Sequence, residues 1–237
     1  MTPDTALRPD AGNFPQTGLI GLLGGSFDPV HAGHLELAAG AQRALGLAQV
    51  RLIPAGQPWQ KPQMTPGQDR LAMLETAVQE RGGGTDLRWV VDKRELERAG
   101  PTYTIDTLRE IRAIVGPDRP LVWILGFDQL RGLPGWRDWE SLSGLAHIAY
   151  AQRAGEEAVL PGPLAAYVAA RTSTPGALAG QPAGCFVAFP MRPVDCSATQ
   201  IRSAVAAGDT SRVKNYLAPG VLGYIKTHQL YLAVNGQ

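Results

Sequence analysis

Leu19-Ile20-Gly21-Leu22-Leu23 runs directly into Gly24-Gly25-Ser26-Phe27-Asp28-Pro29-Val30-His31-Ala32-Gly33-His34. A short apolar run ends on two glycines and a turn proline, and a helix-period segment over 34–45 opens behind it. This is a strand, a loop and a helix in immediate succession. In a doubly wound sheet, ligands bind at the loop that leaves a strand's C-terminal end, because free backbone N–H groups and the positive end of the next helix face outward there. Gly24 and Gly25 let a polyphosphate come close to the backbone, and Pro29 stiffens the turn. His31 and His34, three apart, share one face and aim two imidazoles at one anion.

Five further apolar runs follow: 50–53, 87–91, 121–125, 147–151 and 185–189. Helix-period segments at 66–81, 104–115 and roughly 137–145 alternate with them. Alternation of this kind predicts an α/β fold, a doubly wound, Rossmann-like, mostly parallel sheet with strands buried on both faces and right-handed crossovers. Thr65-Pro66 reads as an N-cap followed by Pro at the first helical position, and Gly116-Pro117 as a stop. Residues 155–184 are rich in Ala, Pro and Gly, with one helix at 164–171. Ser197 caps ATQIRSAVAAG, Gly208 stops it, and segments 210–217 and 220–230 complete a helical C-terminal subregion. Residues 1–17 carry Pro, Gly, Asn and Asp without period and read as a flexible leader to a single domain over 18–237.

The 237 residues suit one large α/β domain. With 22 Lys and Arg against 21 Asp and Glu, the broad positive field of a non-specific nucleic-acid binder is missing, so any anion site is local. No apolar stretch reaches the roughly 18 residues of a membrane span, and Asp4 and Asp10 stand where a signal peptide is basic and then apolar. Cys185 and Cys196 lack Cys-x-x-Cys spacing and read as small buried hydrophobes in a reducing compartment. A cytoplasmic chain, without membrane or nucleic-acid partners, is the expectation.

Ser197-Ala198-Thr199-Gln200-Ile201-Arg202 is a second anion candidate. A Ser cap, a Thr and an Arg within the first turn of a helix can converge on phosphate oxygens, although an ordinary capped helix has the same look. For the histidine pair, zinc would need further ligands at recognisable spacing, and neither the cysteines nor an H-E-x-x-H pattern supplies them, so no metal ligands are assigned. His147 and His228 stand alone and read as structural. Trp89 and Trp123 lie within strands and Trp139 at helical spacing, which predicts core packing.

GGSFDPVHAGH is similar to the signature G-G-[ST]-F-D-P-x-H-x-G-H of the nucleotidyltransferases related to class I aminoacyl-tRNA synthetases, and SATQIR resembles their distal S-x-T-x-[IV]-R element. Within that superfamily the chain resembles bacterial nicotinate-nucleotide adenylyltransferase, on Pro101-Thr102-Tyr103-Thr104-Ile105-Asp106-Thr107-Leu108, Gly126-Phe127-Asp128-Gln129-Leu130 and Leu133-Pro134-Gly135-Trp136. The resemblance implies transfer of AMP from ATP to nicotinic acid mononucleotide, giving the dinucleotide and pyrophosphate in NAD biosynthesis, with Mg²⁺ accompanying ATP. It implies catalytic roles for His31, His34 and Arg202. It assigns ATP binding to Gly24, Gly25, Ser26, Phe27, Lys61, Gly126, Asp128, Ser197 and Thr199, and acceptor binding to Tyr103, Thr104 and Trp136. Asp128 would stand near a ribose, and Trp136 would stack on the pyridine ring. The first amides of the helix opening at Tyr103-Thr104 would hold the carboxylate, without a side-chain cation between Gly100 and Leu108.

Where many relatives have His in the proline-rich loop, this chain reads Gln60 after Trp59, and where R-P-G often follows the fifth strand it reads Arg153-Ala154-Gly155. No role is carried over to Trp59, Gln60 or Arg153. The alternatives are an adenylyltransferase preferring nicotinamide mononucleotide and a non-catalytic nucleotide-binding sensor. Pantetheine phosphate as acceptor is disfavoured by the length and by the PTYTIDTL and Trp136 elements.

Overall fold

A computed structural model describes residues 14–58, 64–82, 86–152 and 159–232. In chain order the elements are β1 (Leu19–Gly25), α1 (Ala32–Leu45), β2 (Leu47–Pro54), β3 (Gln57–Pro58), α2 (Gly67–Gly82), β4 (Trp89–Val91), α3 (Arg94–Glu97), β5 (Pro101–Thr102), α4 (Thr104–Val115), β6 (Leu121–Leu125), α5 (Phe127–Arg131), α6 (Trp139–Leu142), β7 (His147–Gln152), α7 (Gly162–Ala169), β8 (Phe186–Pro190), α8 (Ala198–Ala206) and α9 (Pro219–Thr227). Six strands form one sheet in the order β4-β2-β1-β6-β7-β8, and β3 and β5 pair separately. Every pairing in both sheets is parallel.

The strand order follows from side chains that need cover on both faces. Along β1, Leu19 and Leu23 belong to one apolar cluster, and Ile20 and Leu22 to the other. The first cluster takes Val122 and Ile124 of β6 and is roofed by α1, α2 and α9. The second takes Leu121 and Trp123 and is roofed by Ile105, Leu108 and Ile111 of α4. The chain leaves β1 towards β2 on one side, and β6 adds on the other, so the order reverses between β1 and β6. A crevice opens at that reversal, outside the carboxyl ends of both strands.

Local boundaries refine the sequence reading. The α2 helix starts at Gly67, so Pro66 precedes the first helical position, and its carbonyl accepts from Arg70 N at 3.2 Å. Of the predicted helix over 137–145 only the four-residue α6 forms, and α5 and a 3₁₀ turn over Leu133–Gly135 precede it. Of 210–217 only Thr210–Arg212 forms a 3₁₀ turn. From the leader, Phe14 packs against the Arg51 guanidinium at 4.1 Å, and Arg119 donates to the carbonyls of Pro15 and Gln16. No helix among the described residues is long and apolar enough to cross a membrane.

A buried ionic group links β2 to the α3–α4 segment. Asp92 accepts from Arg51 Nε at 2.8 Å and from Arg94 Nε and Nη2 at 2.9 and 2.8 Å, with all three residues buried. Burial alone would raise the Asp92 carboxyl, but the hydrogen bonds and charges of Arg94 and Arg51 carry it below the usual carboxylate range. Arg94 continues to Glu110 of α4 at 3.3 Å, and Arg98 also donates to Glu110. The middle of α4 is thereby tied to the sheet.

Candidate active site

The crevice is a cleft of about 740 Å³ walled by both loops at the reversal point. Gly24 and Gly25 end β1, Ser26 and His31 follow in the loop, and His34 stands in the first turn of α1; Gly126 follows β6 and Asp128 lies in the first turn of α5, while Thr102, Tyr103, Thr104 and Trp136 close the far side. Of the residues named from sequence, ten therefore line one cavity: Gly24, Gly25, Ser26, His31, His34, Tyr103, Thr104, Gly126, Asp128 and Trp136.

The two histidines hold each other in place. His31 is the N-cap of α1, and its Nδ1 accepts from Gly33 N at 3.2 Å. His34 reaches back, and its Nδ1 accepts from His31 N at 3.2 Å, which completes a capping box with imidazoles in the usual hydroxyl and carboxylate positions. Their ring centroids are 3.8 Å apart. With both Nδ1 atoms accepting, the neutral tautomer of each ring carries its proton on Nε2 and can donate from there. Burial lowers the His31 pKa from 6.5 to about 4, so this ring is a neutral donor at physiological pH.

Packing dictates the glycines here. A Cβ on Gly24 would lie 2.8 Å from Trp123 Cζ2, and one on Gly33 would lie 3.1 Å from the His31 ring. Trp123 is core, as expected from its strand, yet its ring also floors the cleft. Phe27 is placed differently from the nucleotide contact implied by resemblance. Its side chain is fully buried, its φ is +47°, and its ring meets His34 edge-on at 5.0 Å, so it backs the histidine and does not face the cavity.

Ser197, Thr199 and Arg202 stand beside the cleft and not among its lining, although Cys196 and Arg192 just before them do line it. The Ser197 hydroxyl accepts from Gln200 N at 3.2 Å, so it caps α8 as predicted. Arg202 donates to the Asp28 carbonyl at 2.7 Å and to Thr199 Oγ1 at 3.4 Å. Lys61, with Trp59, Gln60 and Arg153, lies outside the described residues.

At the far end, Tyr103 is the N-cap of α4 and makes no side-chain cap hydrogen bond, so Thr104 is the first helical residue. Trp136 is half-buried beyond the 3₁₀ turn. A cation enters that 101–107 did not supply. Arg137, exposed and lining the cleft, places its guanidinium 4.8 Å from the Tyr103 ring centre and 4.0 Å from Asp106 Oδ2. Sequence reasoning missed it because 34 positions separate it from Tyr103; its one local signal is that it follows Trp136. Glu95 is also buried in this wall, accepting from Thr107 Oγ1 at 2.7 Å, and burial pushes its carboxyl up.

The remaining expectations divide. His147 is structural: Nδ1 accepts from Cys185 N at 3.1 Å, and Nε2 faces the carbonyls of Leu178 and Gln181. His228 stacks on Tyr224 at 3.8 Å. Cys185 is buried, whereas Cys196 is only half-buried in the cleft wall, where burial and Asp195 raise its thiol to about 11. Among the described residues, no group of three or more His, Cys, Asp or Glu side chains converges to hold a metal ion.

Comparison with known proteins places the chain in a family. The cytidylyltransferase-like family model matches residues 22–204. A "Probable nicotinate-nucleotide adenylyltransferase" of Pseudomonas putida (strain W619) is 45% identical over 91% of this chain and 96% of its own length. One of the same name from Laribacter hongkongensis (strain HLHK9) is 47% identical over 90% of this chain and 94% of its own. Among solved structures, the nicotinic acid mononucleotide adenylyltransferase of Plasmodium falciparum complexed with NaAD superposes with a TM-score of 0.69 at 16% identity. That superposition covers 91% of this chain and 98% of that one, and it shows a shared fold.

Proposed function

The chain belongs to the cytidylyltransferase-like family and, within it, to the nicotinate-nucleotide adenylyltransferases, and from that premise we propose how its residues transfer AMP from ATP to nicotinic acid mononucleotide. A phosphate oxygen of the acceptor attacks the α-phosphorus of ATP, the bond from that phosphorus to the β-phosphate bridge breaks, and pyrophosphate leaves. Such a transfer needs in-line positioning and charge stabilisation more than a protein nucleophile. One observation carries the assignment: a single cleft has a pair of preorganised imidazole donors at a helix start and, across from it, an aromatic ring beside a second helix start.

In this reading His31 and His34 donate from Nε2 to the phosphate oxygens on which charge develops, and the neutral His31 ring needs no deprotonation to do so. Gly24, Gly25 and Ser26 let the triphosphate lie along the backbone, with Lys61 neutralising phosphate. Asp128 and the Gly126 turn face the adenosine ribose. Arg202, steadied by Thr199, faces the leaving phosphates, and Ser197 presents α8 to them. Phe27 supports His34 from behind. Trp136 stacks on the pyridine ring, and the first amides of α4 receive its carboxylate, with Arg137 adding positive charge nearby.

Relatives of this kind use a divalent metal with ATP. The donor set of this chain forms no resident metal cage among the described residues, so we place Mg²⁺ with ATP as the counterion of its phosphates, and no step is assigned to it. Residues 18–237 act as one catalytic domain, working in the cytoplasm, where two free cysteines are kept reduced. The test is pyrophosphate release from ATP with a panel of acceptors. Nicotinic acid mononucleotide is expected to give the highest kcat/KM. A higher value for nicotinamide mononucleotide would assign the amide, and no release with any acceptor would leave a nucleotide-binding sensor.

A further inference from the structure

Asp28 belongs to the histidine loop, yet it is turned away from the cleft, does not line it and is 5% exposed. What holds it comes from distant parts of the chain. Its Oδ1 accepts from the Tyr231 hydroxyl at 2.7 Å, its Oδ2 accepts from Thr65 N at 3.3 Å, and its carbonyl accepts from Arg202 at 2.7 Å. Arg70, 1% exposed, donates to the carbonyls of Ser26, Thr65 and Gly56 at 2.8, 2.9 and 3.3 Å. The loop that ends at His31 is thus tied from behind to the start of α2, to α8 and to the segment after α9.

That last segment is built for the contact. Gln229 has φ +52° and Tyr231 φ +63°, and neither is glycine. Residues with side chains occupy this region at a cost and keep it only where the surroundings fix it. Leu230 N donates to Ile225 O at 3.0 Å, closing the turn that delivers the phenol. Burial and the Asp28 charge push the Tyr231 hydroxyl above its ordinary range, so it remains a donor.

We propose that Tyr231 is a positioning residue for the transfer: by clamping Asp28 it fixes the loop over Ser26–His31, and with it the place of the His31 and His34 donors against the triphosphate. The inference rests on the reading of the histidine cleft as the ATP site. A donor displaced by about 1 Å can cost a hundredfold in rate, which is why a contact behind the loop reaches the chemistry.

Tyr231→Phe keeps the ring and removes only the hydroxyl. The expected result is a kcat lowered by about tenfold to a hundredfold, with KM for the acceptor within about twofold of wild type and the fold retained by circular dichroism. Asp28→Asn and the double variant should fall to a common kcat, because the hydroxyl acts through the carboxylate and the two losses are not additive. A tyrosine that merely stabilised the fold would lower Tm without this split. The ¹H–¹⁵N imidazole signals of His31 and His34, recorded on the free protein, should also move in the Phe variant. That measurement needs no turnover, so it tests the clamp even if the wild type releases pyrophosphate with no acceptor, a result that would sink the functional reading alone. A Phe variant with kcat within about twofold of wild type, unmoved imidazole signals, or losses that multiply in the double variant would each overturn the clamp.

Discussion

His31 and His34 make a helix cap serve as a donor pair. Capping residues usually satisfy amides with oxygen; here imidazole nitrogens do so, and the outcome at each ring is a neutral tautomer that carries its proton on Nε2. Removing one preorganised donor of charge in a transition state typically costs about two to three orders of magnitude in kcat. His34→Ala is expected to show that loss in a steady-state pyrophosphate assay while remaining folded, since the side chain is only half-buried. A loss below about threefold in a folded variant would remove the donor role. The spacing of the two histidines was legible in the sequence. Which nitrogen each ring turns to the backbone was not, because that depends on where Gly33 N and His31 N point once α1 has formed.

Helix α4 is an element whose start matters more than its length. Its apolar face, Ile105, Leu108 and Ile111, was readable from the period, and so was the stop at Gly116. A partly buried helix start favours an anion by up to about 2 kcal/mol, roughly thirtyfold, over a neutral group. The helix start is accordingly expected to favour the acid over the amide by up to about thirtyfold in kcat/KM at saturating ATP. Arg137 adds to this through space, so Arg137→Ala should lower the acid-to-amide ratio by about threefold to tenfold, an exposed charge contributing less than a desolvated one, and leave KM for ATP unchanged. An unchanged ratio would assign the preference to the helix alone. Arg137 could not be placed from sequence because the turn over Leu133–Gly135, not the local pattern, carries it to Tyr103.

For the molecule as a whole, buried groups with displaced pKa values, His31 and Asp92 among them, lower stability in acid. His31 has its pKa lowered to about 4 in the fold, so the unfolded chain takes up its proton first, and stability falls as pH drops from about 6.5 towards 4. Asp92 is held below its ordinary range, so its contribution is present above the unfolded pKa and is lost on further acidification. His31→Asn, which retains an N-cap acceptor, should flatten the upper window in chemical denaturation at graded pH. Asp92→Asn should cost about 3 to 5 kcal/mol at neutral pH, because it takes the shared carboxylate from two buried guanidinium groups. A loss for Asp92→Asn below about 1 kcal/mol would mean that water screens the pair. The six strands of the main sheet, their burial on both faces, the main helices and the helix starts at His31 and Ser197 were legible in the sequence alone, because hydrophobic period, glycine and capping chemistry act within a few residues. Tertiary structure decided that Trp123 floors the cleft beneath Gly24, that Phe27 supports His34, that Arg137 meets Tyr103, and that Tyr231 holds Asp28 from 203 positions away. All but the Phe27–His34 contact join segments whose local patterns are independent, and only packing both faces of the parallel sheet brings those together.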